Sequence, residues 1–404
     1  QIMILGFAGV ILLGALVLML PIAAASRTWT PFHEALFTST SAVCVTGLVV
    51  QDTGSYWSGF GQTVILLLIQ VGGLGVITAA VTFLMLSGKN ISLKERSAMQ
   101  DAISAPVVGG IVRLTRFILK GTFLVELVGT LALLPAFCRD YGLRGVWMAI
   151  FHSVSAFCNA GFDILGRADT LYPSLTAYMA DPLVNIVIML LIIVGGIGFM
   201  VMLDVLRCRG RFRKLTLHSK VVLSTTAVLI LGGAMLLWLT EPISFLAALF
   251  QSIPPRTAGF TTNDIGDMKN AGLKMIMILM FIGASPGSTG GGIKTTTFFV
   301  LMQEVRIIFS KRRLGAFRRR LPEESLAKAA TITLLGTIVV FVGTFVLCVL
   351  EPQHSFVQLL FEQISAYSTA GLSMGITSSL HAASKAVLIV TMFIGRVGAF
   401  TLLS

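Results

Sequence analysis

Four apolar stretches of this chain are too short to cross a membrane, and each ends in a related glycine phrase. They lie at about 31–45, 145–158, 243–254 and 353–367. A helix of about 13 residues rises about 20 Å, short of a hydrocarbon core of about 30 Å. Each stretch is therefore expected to enter the bilayer and turn back. Long apolar runs alternate with them, at about 2–24, 60–87, 111–137, 183–206, 220–240, 271–301, 326–350 and 384–404. Residues 2–24 read as a first spanning helix and not as a signal segment, because the run is long and no basic stretch precedes it. Of the 404 residues, 55% are hydrophobic and 12% charged. Soluble domains carry about 25% charged residues, so a soluble enzyme and a disordered chain are both excluded.

The phrases recur with a period. They read Val45-Thr46-Gly47-Leu48, Asn159-Ala160-Gly161-Phe162, Thr257-Ala258-Gly259-Phe260 and Thr369-Ala370-Gly371-Leu372. Phe37, Phe151 and Phe361 stand ten residues before their glycines, and Phe250 stands nine before Gly259. A second landmark follows in the next long run, beginning at Gly72, Gly195, Gly283 and Gly395. The spacing from phrase glycine to landmark is 25, 34, 24 and 24 residues. This recurrence predicts an all-α integral membrane protein of four tandem helix–pore-helix–helix copies around a central pore, with eight spanning helices. The copies divide at 1–88, 89–210, 211–310 and 311–404.

Charge sets the expected orientation. Segments 89–120, 207–220 and 303–328 hold six, six and eight of the 30 Lys and Arg residues. Asp52, Asp163 and Asp264 fall on the opposite side of the runs. By the positive-inside bias the basic linkers face the cytoplasm and the glycine phrases face outward. The net charge of +12 is then mostly topology, and a nucleic-acid partner is not implied. The five cysteines, Cys44, Cys138, Cys158, Cys208 and Cys348, show no paired spacing and imply neither a disulfide framework nor a metal cluster.

A helix that stops in mid-membrane leaves its last carbonyls unpaired, with partial negative charge at that end. Irregular backbone survives there only where it lines water or is buried in protein. Glycine permits angles that aim carbonyls inward, and a ring of such oxygens can replace the hydration shell of a monovalent cation. Any one phrase reads equally well as a turn. Four, each behind a half-length helix, point to a cation filter built from Val45, Thr46, Gly47, Asn159, Ala160, Gly161, Thr257, Ala258, Gly259, Thr369, Ala370 and Gly371. The glycine doublets Gly72-Gly73 and Gly195-Gly196 read as close helix packing.

The third copy differs. Gly283-Ala284-Ser285-Pro286-Gly287-Ser288-Thr289-Gly290-Gly291-Gly292 holds five glycines and a proline. Each glycine costs a helix about 1 kcal/mol and proline about 3, so the helix must break. A small-residue loop beneath a filter would act as a gate, and a static kink is the plainer alternative. Residues 283–287 also match G-x-S-x-G, which would suggest an intramembrane serine protease. The element before it is a helix where that motif needs a strand, and no histidine is placed as its base. Gly287 to Lys294 falls short of a P-loop because Ile293 separates Gly292 from Lys294. Arg396 lies inside the last apolar run, where a charge must face the protein interior with a partner. It is expected to contact the loop carbonyls or to add a barrier to cations, and Glu126 is a candidate counterpart. Asp163 and Asp264 would steer cations to the mouth or remain solvated.

Together the fourfold phrase, the loop Ser285 to Gly292 and Arg396 resemble the Ktr/Trk/HKT superfamily of potassium transporters, over nearly the whole chain. A single spanning segment before the first half-helix makes it most similar to the bacterial Ktr membrane subunit. The resemblance implies channel-like K⁺ uptake, with K⁺ held at Gly47, Gly161, Gly259 and Gly371 and with Na⁺ as a possible second ion. It implies a gate at Ala284, Ser285, Pro286, Gly287, Ser288, Thr289, Gly290, Gly291 and Gly292, with Arg396 as the barrier. It also implies a homodimer in the cell membrane and a separate cytoplasmic nucleotide-binding regulatory ring docked on the basic linkers. Sodium-preferring HKT members have Ser at the first filter position, where this chain has Gly47. A Trk-type subunit with different cation coupling is the nearest alternative. A solute carrier is the more distant one, and it would show inverted halves with two broken helices. No organic cofactor is implied.

Overall fold

The computed structural model describes residues 2–76, 78–79, 111–310, 315–317, 319–320 and 324–398. The basic stretch 89–110 lies outside them. In the first part of the chain, α1 is Ile2–Met19, α2 Phe32–Val43, α3 Gly59–Leu74, α4 Ile111–Tyr141 and α5 Arg144–Phe157. There follow α6 Pro182–Gly196, α7 Phe199–Arg207, α8 Leu217–Thr240, α9 Phe245–Ser252, α10 Asn270–Phe281 and α11 Thr295–Ser310. The last are α12 Glu324–Leu350, α13 Phe356–Ser368 and α14 Ala382–Val397. Among the described residues the only strands are a two-residue pair, Gly315–Ala316 with Arg319–Arg320.

Helix starts follow local chemistry. Ser58, Thr216 and Ser244 each accept the backbone N–H three residues on. Asp181 accepts from Leu183 and Val184 ahead of Pro182. Ser355 and Gln358 form a reciprocal capping box for α13. On α4, Leu124, Val128 and Leu131 stand 61%, 58% and 58% exposed on one stripe, an apolar face suited to lipid or a partner subunit.

The short helices α2, α5, α9 and α13 are polar at their buried faces and are anchored by Phe37, Phe151, Phe250 and Phe361, all fully buried. A contact recurs where each meets the preceding long helix. Ser39, Ser153 and Ser252 donate at 2.7 Å to the carbonyls of Ile11, Glu126 and Ile230. Three residues beyond each carbonyl stands a glycine (Gly14, Gly129 or Gly233) whose added Cβ would meet that serine and a leucine, Leu68, Leu191 or Leu279. In the last copy Gly343 makes room for the Gln363 amide instead.

The eight long spans expected from hydropathy do not appear as eight long helices. Among the described residues three are long and apolar enough to cross a membrane: Leu114–Tyr141, Leu217–Thr240 and Glu324–Leu350. The pair α6 and α7, bent by 97°, makes a fourth if taken as one span. The cause is backbone reversal at the second landmark. Gly75, Gly198 and Gly398 adopt φ of +85°, +94° and +93° and end or break their helices there. In the third copy the apolar run is divided into α10 and α11 by the glycine-rich segment.

The packing glycines generate a paired expectation. Gly233→Val puts carbon against Ser252 Oγ and Leu279 and should cost about 1–3 kcal/mol. Neighbouring Gly232 has nothing within 4 Å, and Gly232→Val should be neutral to within about 0.5 kcal/mol. Thermal unfolding of the detergent-solubilised variants measures both, and equal loss in the two would contradict this packing.

Candidate functional site

Each short helix ends in a left-handed residue. Val45, Asn159, Thr257 and Thr369 have φ of 56°, 58°, 79° and 51°. Such angles are rare outside glycine and costly for β-branched side chains. In three copies the next N–H reaches back five residues, from Thr46 to Ser41, Ala160 to Ser155 and Ala370 to Ser365, each at 2.8 Å. This is the Schellman closure of a helix C-terminus. In the third copy Pro254 accepts from Ala258 at 2.8 Å and from Gly259 at 3.3 Å instead. The phrase glycines Gly47, Gly161, Gly259 and Gly371 then return to positive φ, at 93°, 69°, 72° and 81°. The residue between does not, so φ alternates in sign along each phrase.

The four glycines close on one another. A Cβ on Gly161 would lie 2.7 Å from the Ala258 oxygen and 2.8 Å from Gly259 Cα. One on Gly259 would meet Ala370 O at 3.0 Å and Gly371 Cα at 3.3 Å. One on Gly371 would strike Thr46 O and lie 3.0 Å from Gly47 Cα. One on Gly47 would strike Ala160 O and lie 3.1 Å from Gly161 Cα. The order 47, 161, 259, 371 and back to 47 is a ring of backbone with no room for side chains on the glycines. Thr46 and Thr369 keep buried hydroxyls without a protein partner.

The segment 283–292 is packed against this ring. Carbon added to Gly290 would strike Thr257, and carbon added to Gly291 would strike Thr369. Gly292 lies 3.3 Å, as an added Cβ, from Ser368 O. The segment folds back on itself, with Ala284 N–H donating to Gly291 O at 3.2 Å. It is also tied to the second copy. Ser285 N donates to Gly196 O at 3.0 Å, Thr289 N to Gly195 O at 3.3 Å, and Phe199 N to Gly287 O at 3.0 Å. Ala284, Ser285 and Thr289 are buried. Pro286, Gly287 and Ser288 form its turn, with Ser288 Oγ donating to Ser285 O at 2.6 Å.

Arg396 donates from one guanidinium nitrogen to Thr289 O and from the other to Gly72 O. Among the described residues no carboxylate lies within ion-pair distance of it. Glu126 instead faces Cys158, 3.9 Å away. Lys294, marked in the sequence only by the incomplete P-loop pattern, donates to Gly290 O at 2.8 Å and Gly291 O at 3.3 Å. A lone lysine beside an apolar run was the available signal. The glycines of the second landmark pack as small residues do: carbon on Gly72, Gly195 or Gly395 would run into the carbonyls of Val43, Phe157 or Tyr367.

On the other side of the ring a cavity of about 410 Å³ opens, lined by all four phrase glycines and by Asp52, Asp163 and Asp264 among others. Burial, then the Asp52 carboxylate, push the Asp163 carboxyl up to about 7. Asp52 itself is buried and accepts from Ser55 N at 2.8 Å and from Tyr172 N at 2.9 Å.

The matched family is TrkH, described as cation transport protein, over residues 10–241 and 212–403. The chain therefore belongs to the TrkH cation transport family. It is 40% identical over 417 residues to the Ktr system potassium uptake protein B of Bacillus subtilis, covering 99% of this chain and 91% of that one. It is 39% identical to the potassium/sodium uptake protein NtpJ of Enterococcus hirae, with the same coverage. Its identity to the Ktr system potassium uptake protein B of Vibrio alginolyticus is 35%, covering 100% and 90%. The crystal structure of the potassium transporter TrkH from Vibrio parahaemolyticus shares the fold, at a TM-score of 0.76 and 20% identity, over 99% of this chain and 82% of that one. Family membership makes this an integral membrane cation transporter and not an enzyme, and it removes the protease reading of Gly283 to Gly287.

The state of Asp163 generates a pH expectation. Its carboxylate forms as pH rises through about 7, adding negative charge at the ring's mouth. Apparent affinity for the transported cation should rise between pH 6 and pH 8 by about threefold, and Asp163→Asn should flatten the profile. Uptake kinetics at graded external pH measure this, and an unchanged profile in the variant would contradict it.

Proposed function

We propose that the chain is the membrane subunit of a potassium uptake system, passing K⁺ through the ring formed by Gly47, Gly161, Gly259 and Gly371 with their phrase carbonyls. The observation that carries this reading is the closed ring of four backbone segments, each at the partially negative end of a short helix. A carbonyl collar of this kind replaces water around a weakly hydrated monovalent cation. The relatives' names, potassium uptake and potassium/sodium uptake, agree with that ion class. Glycine at position 47 favours K⁺ over Na⁺ as the conducted ion, and Na⁺ is proposed as a second or coupling ion.

The four copies, at 1–88, 89–210, 211–310 and 311–404, each contribute two passages of the bilayer around the ring, eight in all. Segment Ala284 to Gly292 is the gate. It closes the path beneath the ring while Arg396 and Lys294 hold its carbonyls and add positive charge to the closed path. Flux requires the segment to leave Thr257 and Thr369 and to give up its bonds to Gly195, Gly196, Phe199 and Phe157, at about 1 kcal/mol each. The gate is driven by a separate cytoplasmic nucleotide-binding ring that docks on the basic linkers. The subunit is a homodimer in the cell membrane with one pore per chain.

Growth of a potassium-uptake-deficient cell at low K⁺, with and without Na⁺, tests the function. Rescue is expected, and failure with the subunit and regulator both expressed would overturn it. Gly161→Ser must widen the ring at Ala258 and should lower the K⁺ over Na⁺ uptake ratio on the order of tenfold. An unchanged ratio in the two salts would count against the filter. Deleting residues 285–291 should raise flux without the regulator by about tenfold or more, given the few hydrogen bonds that hold the loop. An inactive or unaltered transporter would count against the gate.

A further inference from the structure

The second copy has 34 residues between phrase and landmark where the others have 24 or 25, and nothing in the ring or the gate uses the excess. The structure puts it over the mouth. Residues 166–176 leave the second copy as a tight loop, with Arg167 and Thr170 exchanging backbone hydrogen bonds at 3.0 and 3.1 Å. Leu171, Tyr172, Pro173, Ser174 and Thr176 line the same 410 Å³ cavity as the four phrase glycines.

This strap is fastened to the first and third copies. Tyr172 donates from its hydroxyl to Val50 O at 3.1 Å and from its N–H to Asp52 at 2.9 Å, both in the first copy. Thr261 of the third copy donates to Ser174 Oγ at 3.0 Å and accepts from Leu175 N at 2.9 Å. Ser378 of the fourth copy lines the same cavity as Tyr172. In the ring order 47, 161, 259, 371 the second and fourth copies stand diagonally opposite. Ties to the first and third copies, with Ser378 of the fourth lining the same cavity, place the strap over the opening. Tyr172 and Ser174 hold φ of 55° and 47° on either side of Pro173, a strained conformation that the ties on both sides over-determine.

We propose that the strap 166–176 is an entry screen, and that Tyr172 is the specificity-determining residue that limits the size of the cation reaching the ring. Small alkali ions enter beside the phenol ring, and bulky quaternary ammonium ions are turned away. Backbone carbonyls in the ring choose among small ions, and the strap excludes large ones before that choice. The inference rests on the ring being the ion path, and its test reads a different quantity from K⁺ over Na⁺ discrimination.

The experiment uses the full chain in its membrane with its regulator. Tetraethylammonium outside should inhibit K⁺ uptake poorly in the parent and at least about tenfold more potently in Tyr172→Ala, where both the ring and its hydroxyl bond are lost. Tyr172→Phe keeps the ring and should shift inhibition by about fivefold or less. In parallel, Val49→Cys places a thiol in the lining of the cavity, outside the strap's own sequence. A cationic methanethiosulfonate reagent should modify it about tenfold faster when Tyr172→Ala is added. Equal inhibition and equal modification rates with and without Tyr172 would overturn the screen. Should Tyr172→Ala fail to reach the membrane, the same two readouts in Tyr172→Val, which also removes the ring, decide, with no shift in either overturning the proposal. Failure of the ring as filter would appear instead as an unchanged ion ratio in Gly161→Ser, whatever the strap variants do.

Discussion

Unpaired backbone carbonyls at the ends of four buried half-helices are the constraint on which the rest of the structure depends. A helix ended in lipid would leave these oxygens without partners, at a cost of several kcal/mol each. Bringing four such ends to one place solves part of the problem for each. The Schellman closures consume some carbonyls, at Ser41, Ser155 and Ser365. The phrases beyond them, with φ alternating in sign, form the proposed collar. The strained angles at Val45 and Thr369 are held by burial on every side.

The segment beneath the ring follows from the same constraint with the opposite sign of charge. A loop of small residues inside the protein exposes its own carbonyls, and two cations answer them. Lys294 takes Gly290 and Gly291, and Arg396 bridges Thr289 to Gly72 across the path. Carbonyls with no cation are offered on one side of the ring, and carbonyls already occupied by fixed cations lie on the other. That asymmetry supports the proposed gate. It also explains why Arg396 tolerates burial without a carboxylate: bonds to backbone dipoles in place of a countercharge leave it cationic.

Much of this was legible in the residues, and the limits of legibility are physical. The half-helices expected at 31–45 and 145–158 are found at Phe32–Val43 and Arg144–Phe157, because apolar periodicity and a terminal glycine mark both ends. The breaks in the second helices leave no mark in hydropathy, which is blind to the reversal of φ at Gly75, Gly198 and Gly398. Arg396 was visible as a charge in an apolar run, but backbone partners leave no mark in sequence. Glu126 was offered as its counterpart, and Cys158 is what Glu126 faces. The strap was visible only as ten surplus residues, since the contacts of Tyr172 lie in segments far along the chain. Residues 89–110, part of the first basic linker, lie outside the described residues.

The central claim is that the ring of Gly47, Gly161, Gly259 and Gly371 holds the transported ion by backbone oxygen. Anomalous diffraction from crystals grown in Rb⁺ or Tl⁺ measures this directly. One or more peaks on the axis enclosed by the four glycines, with phrase carbonyls around them, is the expected result. An empty axis, with the ions bound at the carboxylates of the outer cavity alone, would contradict the account.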